Sequence, residues 1–190
     1  MINTSKRNWK DISYLKEGNS KQRKTYEILI NTQILDVLKN YTPIIVGTIP
    51  IDIDVENSDL DIVCKVEDFN MFENILKSNF ERYDCFKIIN YEYDILVCNF
   101  IVNNIEIEIY GSKIDTEKSN GYRHMIIEDR LLNLYGDDFR KEVINLKING
   151  LKTEPSFAKI LNLKGNPYDE LLKLERYSDM ELISKYKKIR

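Results

Sequence analysis

Two short stretches hold the residue types that could do chemistry together. The apolar run Pro43-Ile44-Ile45-Val46 leads into a Gly47-Thr48 turn, and after a gap of ten residues comes Asp59-Leu60-Asp61-Ile62-Val63. Side chains alternate along a strand, so Asp59 and Asp61 share one face while Leu60, Ile62 and Cys64 face a core. Glycine lets a backbone approach a ligand closely, and the Gly47 and Thr48 amides with the Thr48 hydroxyl can donate to a phosphate oxygen. Two carboxylates on one face beside such a turn suit a divalent cation carrying phosphates. Carboxylates about 5 Å apart repel by roughly 3 kcal/mol at an effective dielectric of about 20. That is a large share of a domain stability of about 5–15 kcal/mol. A bound cation or a proton on one of the acids has to relieve it. No Gly-Lys-Ser/Thr follows the turn and no GxGxxG occurs, which excludes a Walker loop and a dinucleotide fingerprint.

A third acid is expected from Ile105-Glu106-Ile107-Glu108-Ile109-Tyr110, where isoleucines face one side and glutamates the other. Glu108 is the choice, because it stands at the strand end just before Gly111, where sites gather; Glu106 is the competitor. Phosphates also need a positive partner. Lys152, in the helix-opening turn Leu151-Lys152-Thr153-Glu154-Pro155, is one candidate. Arg123 and His124, in the first turn of another helix, are the other. Glu128 lies four residues after His124 on the same helical face, placed to orient it, to act as a base or simply to pair with it.

The elements that must position these residues read as follows. A short helix near Trp9 to Leu15 precedes a longer one, capped by Asn19-Ser20 and running to about Asn40, with Tyr26, Leu29, Ile30, Val37 and Leu38 inward. Its early Lys21, Arg23 and Lys24 read as a solvated face or as phosphate partners. Residues 43–49 form the first central strand and 59–66 the second. The connection between them carries Asp52, Asp54 and Glu56, either an acidic ribbon at the site or a solvated loop. Residues 68–80 form a helix with Met71, Phe72, Ile75 and Leu76 inward. Strands follow at 83–90, 94–102 and 104–110, with Asn103-Asn104 as a hairpin corner. Helices are then expected at 122–135, 137–149, 154–162 and 168–189, separated by Gly136, Gly150 and Gly165-Asn166-Pro167. The order predicts an α+β fold: a mixed, mostly antiparallel sheet with flanking helices in residues 1–115, and a helical C-terminal region in 116–190 packed on it.

Composition sets the outer bounds. In 190 residues, 43% are apolar and 31% charged, ordinary for a globular protein. The net charge of −3 gives no field that gathers nucleic acid or anionic membrane. The twelve tyrosines are scattered and form no RNA-binding motif. Lys185, Lys187, Lys188 and Arg190 form a small basic cluster that suits a helix end. No run of 18 apolar residues exists, and the first residues lack a signal core. Three cysteines, Cys64, Cys85 and Cys98, with no CxxC spacing, fit reduced thiols and a cytoplasmic location. His124 is the single histidine, which excludes sites needing several.

The Gly47-Thr48 turn, the ten-residue gap and Asp59-Leu60-Asp61-Ile62 resemble the signature of the DNA polymerase β-like nucleotidyltransferases. That signature is a Gly-Ser or Gly-Gly turn, an Asp-x-Asp or Asp-x-Glu pair, and a third acid from a later strand. More closely, the chain resembles the nucleotidyltransferase-like DUF4269 family. The likeness runs through Tyr14-Leu15-Lys16-Glu17-Gly18-Asn19, Val46-Gly47-Thr48-Ile49-Pro50, Ser58 to Cys64, Tyr122-Arg123-His124-Met125 and Leu151-Lys152-Thr153-Glu154-Pro155, nearly the whole chain. Two departures stand out: Thr48 replaces the usual Ser, keeping the hydroxyl, and Ile49-Pro50 lacks the Arg or Lys often found after the turn. The resemblance implies metal-dependent transfer of a nucleoside monophosphate from a nucleoside triphosphate such as ATP to an acceptor hydroxyl on a small molecule or protein. It implies that Asp59, Asp61 and Glu108 hold Mg²⁺ or Mn²⁺, and that Gly47, Thr48 and Ser58 orient the phosphates with Lys152, Arg123 or His124. A silent member of the same fold, binding nucleotide or a protein, is the alternative.

Overall fold

The computed structural model describes residues 7–91 and 94–186. Lys187, Lys188 and Arg190 of the expected basic cluster lie outside them. Five strands form one open sheet: β1 (Ile44–Val46), β2 (Leu60–Lys65), β3 (Asp84–Tyr91), β4 (Ile95–Val102) and β5 (Ile105–Ser112). Their spatial order is β1-β2-β5-β4-β3. Only β2 and β5 run parallel; the other three pairings are antiparallel. This is the mixed, mostly antiparallel α+β sheet the sequence predicts. The first strand, however, lies at the sheet's edge and ends at Val46, because Gly47 turns the backbone away with φ of +80°. The β4–β5 corner turns on Asn103 and Asn104, both left-handed at φ 50° and 60°, as a tight two-residue hairpin requires.

The helices are α1 (Ser20–Thr32), α2 (Ile34–Val37), α3 (Phe69–Phe80), α4 (Asn120–Ile148), α5 (Thr153–Ile160), α6 (Pro167–Leu172) and α7 (Asp179–Lys185). The expected continuous helix to Asn40 breaks at Gln33, which is left-handed. Ile34 would otherwise sit roughly 120° around the helix from Ile28; the break lets both be fully buried. Ile30 and Met71, expected inward, are exposed at 53% and 60%, and Ile28 and Phe80 take the inward positions. Gly136, at φ +78° and ψ −164°, breaks α4 into two helical stretches, as expected. The single helix expected over 168–189 is three pieces, since Ser178 starts a new one through a capping box with Glu181.

Each face of the sheet has its own apolar core. On one face Leu60, Ile62, Cys64, Ile105, Ile107 and Ile109 pack with Ile28 and Leu29 of α1 and Phe72, Leu76 and Phe80 of α3. On the other, Val46 and Val63 pack with Met125, Leu131 and Phe139 of α4 and Phe157 of α5. The polar side chains of β2 and β5 therefore share a face with the C-terminal helices. Among the described residues, no helix is long and apolar enough to cross a membrane.

Candidate active site

Strand register brings the acids together. Asp61 stands opposite Val46 on β1 and opposite Glu108 on β5. In both strands the apolar neighbours on either side of the acid turn into the first core, so the carboxylates emerge on the opposite face. There they line a cleft of about 800 Å³. Gly47, Thr48, Ser58, Asp59, Asp61 and Glu108 form its sheet wall; His124, Glu128, Lys147, Lys152 and Glu154 contribute its helical wall. Glu106 shares the face of Glu108 but is exposed and does not line the cleft. Asn99 Nδ2 lies 3.4 Å from a carboxylate oxygen of each.

Position 47 favours glycine. A Cβ there would stand 2.2 Å from Asp61 Oδ2, on a backbone already at φ +80°. The turn is thus packed directly on the carboxylate. Thr48 Oγ1 donates to Ser58 Oγ at 3.2 Å, which also accepts from the Val55 amide at 2.9 Å. The loop from Gly47 to Ser58 is braced from two sides. From α1, Gln22 Nε2 donates to the Ile49 carbonyl at 2.8 Å, and Asn19 Nδ2 donates to Asp52 and Asp54 at 2.6 and 2.8 Å. Lys21 Nζ donates to the carbonyls of Val55, Glu56 and Ser58. From α4, Arg140 donates to the Ile51 and Asp52 carbonyls, and Lys147 to that of Ile53 at 2.6 Å. Lys21 is therefore a loop brace, and Asp52 and Asp54 are partners of the α1 cap.

The electrostatics follow from this burial. Asp61 is pushed from its ordinary 3.8 to about 8, first by burial and then by the charges of Asp59 and Glu108. Burial pushes the Glu128 carboxyl well up and draws Lys147 down to about 8. Burial also lowers His124. Asp61 faces Glu108 across two strands and Asp59 lines the same cleft, but among the described residues only His124, Glu128 and Glu154 bring three ligand atoms within 4.8 Å of one another. Lys152 is exposed, precedes α5, makes no side-chain capping bond and lines the cleft. His124 is buried and lines it as well. Arg123 does not; it forms two hydrogen bonds to Glu175, at 3.2 and 2.6 Å. Lys147 was not foreseen, because one lysine inside a long helical pattern carries no distinctive spacing. In the sequence, Glu154 carries only the signal of a helix start.

A model of a domain of unknown function, DUF4269, matches residues 27–174. No curated protein matches the chain. Among solved structures, it is similar to the GLD-2/RNP-8 complex, with TM-score 0.51 and 18% identity over 79% of this chain and 61% of that one. It is similar to Cid1, described for its RNA terminal uridylyl transferase activity, with TM-score 0.53 and 10% identity over 72% and 45%. It is similar to a cytoplasmic RNA terminal U-transferase, with TM-score 0.51 and 13% identity over 81% and 46%. The chain thus spans about half to three-fifths of the length of these structures. With a family model covering most of its length and this fold, the chain belongs to the DUF4269 family and has the fold of the polymerase β-like nucleotidyltransferases.

Proposed function

We propose that this protein is a metal-dependent nucleotidyltransferase that moves a nucleoside monophosphate from a nucleoside triphosphate to an acceptor hydroxyl, releasing pyrophosphate. The observation that carries this is the register of Asp61 against Glu108, with Asp59 and the Gly47-Thr48 turn on the same cleft. Asp59, Asp61 and Glu108 would hold Mg²⁺ or Mn²⁺. When bound, such ions neutralise phosphate oxygens and lower the pKa of an attacking hydroxyl. The Gly47 and Thr48 amides and the Thr48 and Ser58 hydroxyls orient the outer phosphates, with Lys152 and His124 as further partners. Arg123 joins them only by leaving Glu175. The acceptor oxygen bonds to the α-phosphorus, the bond to the bridging oxygen breaks, and Glu108 takes the hydroxyl proton.

The acceptor is a small molecule or a protein hydroxyl. A net charge of −3 and a cleft bearing Asp59, Asp61, Glu108, Glu128 and Glu154 repel a polyanion, which argues against the RNA named for some of the structural neighbours. The free thiols of Cys64, Cys85 and Cys98 fit a reducing, cytoplasmic setting.

A catalytically silent nucleotide- or protein-binding module is the second reading. One feature favours it: the two residues after the Gly-Thr turn, Ile49 and Pro50, are buried and bring no cation to the phosphates. The test is incubation of the full chain with Mg²⁺ and each α-labelled triphosphate, following label transfer and pyrophosphate. Asp59→Asn and Asp61→Asn should lose transfer by at least ~10²-fold, since metal-held charge stabilisation is worth several kcal/mol. Calorimetric nucleotide binding without turnover would establish the silent module instead.

A further inference from the structure

The helical wall of the cleft holds a second cluster that the proposed transfer does not use as a unit. His124 and Glu128 are four residues apart on α4, one above the other on the same helical face. Glu154 comes from the first turn of α5, which is fixed against α4 by the Phe139–Phe157 ring contact at 5.5 Å. One ligand atom from each of the three lies within 4.8 Å of the others. His124 and Glu128 are 92% and 97% enclosed by the protein (exposures 8% and 3%), and all three side chains line the cleft. Two buried atoms of this cluster, His124 Nδ1 and Glu128 Oε1, have no hydrogen-bond partner among the described residues. A buried carboxyl oxygen and a buried imidazole nitrogen left without a partner call for an occupant. Lys147, whose charge acts on Glu128, donates its hydrogen bond to the Ile53 carbonyl. The Tyr168 and His124 rings stand nearly perpendicular, at 88°, with centroids 6.1 Å apart.

We propose that His124, Glu128 and Glu154 form a second metal site, for a borderline divalent ion of the Zn²⁺ class, facing the acids of the sheet across the same cleft. The donor set selects the ion: imidazole nitrogen with two carboxylates suits Zn²⁺, whereas Mg²⁺ prefers all-oxygen shells with several waters. Donors about 2.1 Å from a tetrahedral ion stand roughly 3.4 Å apart, so binding draws the three donors closer together. Three protein ligands leave a position open to water or to an oxygen of the acceptor. The site shares His124 with the phosphate partners of the proposed transfer, but its metal binding can be tested without turnover.

The full chain, stripped by chelator, is titrated with Co²⁺ and Zn²⁺ in an Asp59→Asn background, following calorimetry and the visible absorption of bound Co²⁺. One equivalent should bind, Zn²⁺ should displace Co²⁺, and a large excess of Mg²⁺ should not. His124→Asn and Glu128→Gln should each weaken Zn²⁺ by more than the ~10–100-fold lost on removing an outer-shell partner. Circular dichroism checks folding, and the half-buried Glu154→Gln replaces either variant that fails to fold. Zn²⁺ binding unchanged in these variants overturns the site, as does binding abolished by Asp59→Asn alone. Displacement by Mg²⁺ overturns the ion class.

Discussion

Asp61 lies between Val46 and Glu108 on neighbouring strands, with the Gly47 backbone against its carboxylate. Its proton is held in the folded protein to about pH 8, whereas an unfolded chain releases it near the ordinary 3.8. Its contribution to stability is therefore whole below pH 4 and fades as pH rises to about 8. Asp61→Asn should stabilise the metal-free protein by about 1–3 kcal/mol at pH 8, and by less at pH 5. Urea unfolding at the two pH values checks this, and equal gains would contradict it. The same proton competes with a divalent ion, so affinity at the sheet acids should rise between pH 6 and 8 by up to about tenfold per unit. Calorimetry showing a flat profile would mean that Asp61 is not a ligand. Gly47→Ala should cost about 1–3 kcal/mol in strain and weaken metal binding together with stability, because the new methyl meets Asp61 before it meets any solvent.

At the scale of elements, the loop between β1 and β2 owes its shape to braces from α1 and α4. Lys21→Met removes three carbonyl contacts at once. Global stability should fall by only about 1 kcal/mol or less, since the lysine is partly solvated. Amide exchange in residues 47–58 should nevertheless quicken, and the KM for triphosphate should rise with little change in kcat. Unchanged exchange would show that the other braces suffice. The strands and the acids on them were legible in the sequence because period two is strong in Ile105 to Tyr110, and because Asn103 and Asn104 tolerate the left-handed corner. Helix ends were less legible. Gly136 interrupts its helix where expected, but Gln33 is no usual breaker; its turn answers to the burial of Ile34. Lys147 and Glu154 were invisible as site residues for a different reason. They reach the cleft through the return of α4 and α5 to the sheet, a tertiary fact with no local spacing.

Across the whole molecule, one core draws on residues from Trp9 to Leu182. The face carrying Val46 and Val63 is covered by α4 and α5, and Trp9 from the N-terminal arm belongs to the same cluster. We therefore regard residues 1–115 and 116–190 as two regions of one folding unit. A chain ending at residue 115 should expose this apolar face, bind a hydrophobic dye and aggregate; a folded, soluble monomer would show the regions to be independent. The parallel pairing of β2 with β5 also bears on how the chain assembles. β3, β4 and β5 can zip as a meander between sequence neighbours, but Asp61 and Glu108 are 47 positions apart (108 − 61), and β2 must cross back to reach its partner. The mutual repulsion of the acids is thus met only at the closing step, after the cheaper contacts are made, so an ion held by these acids would also ease the last stage of renaturation.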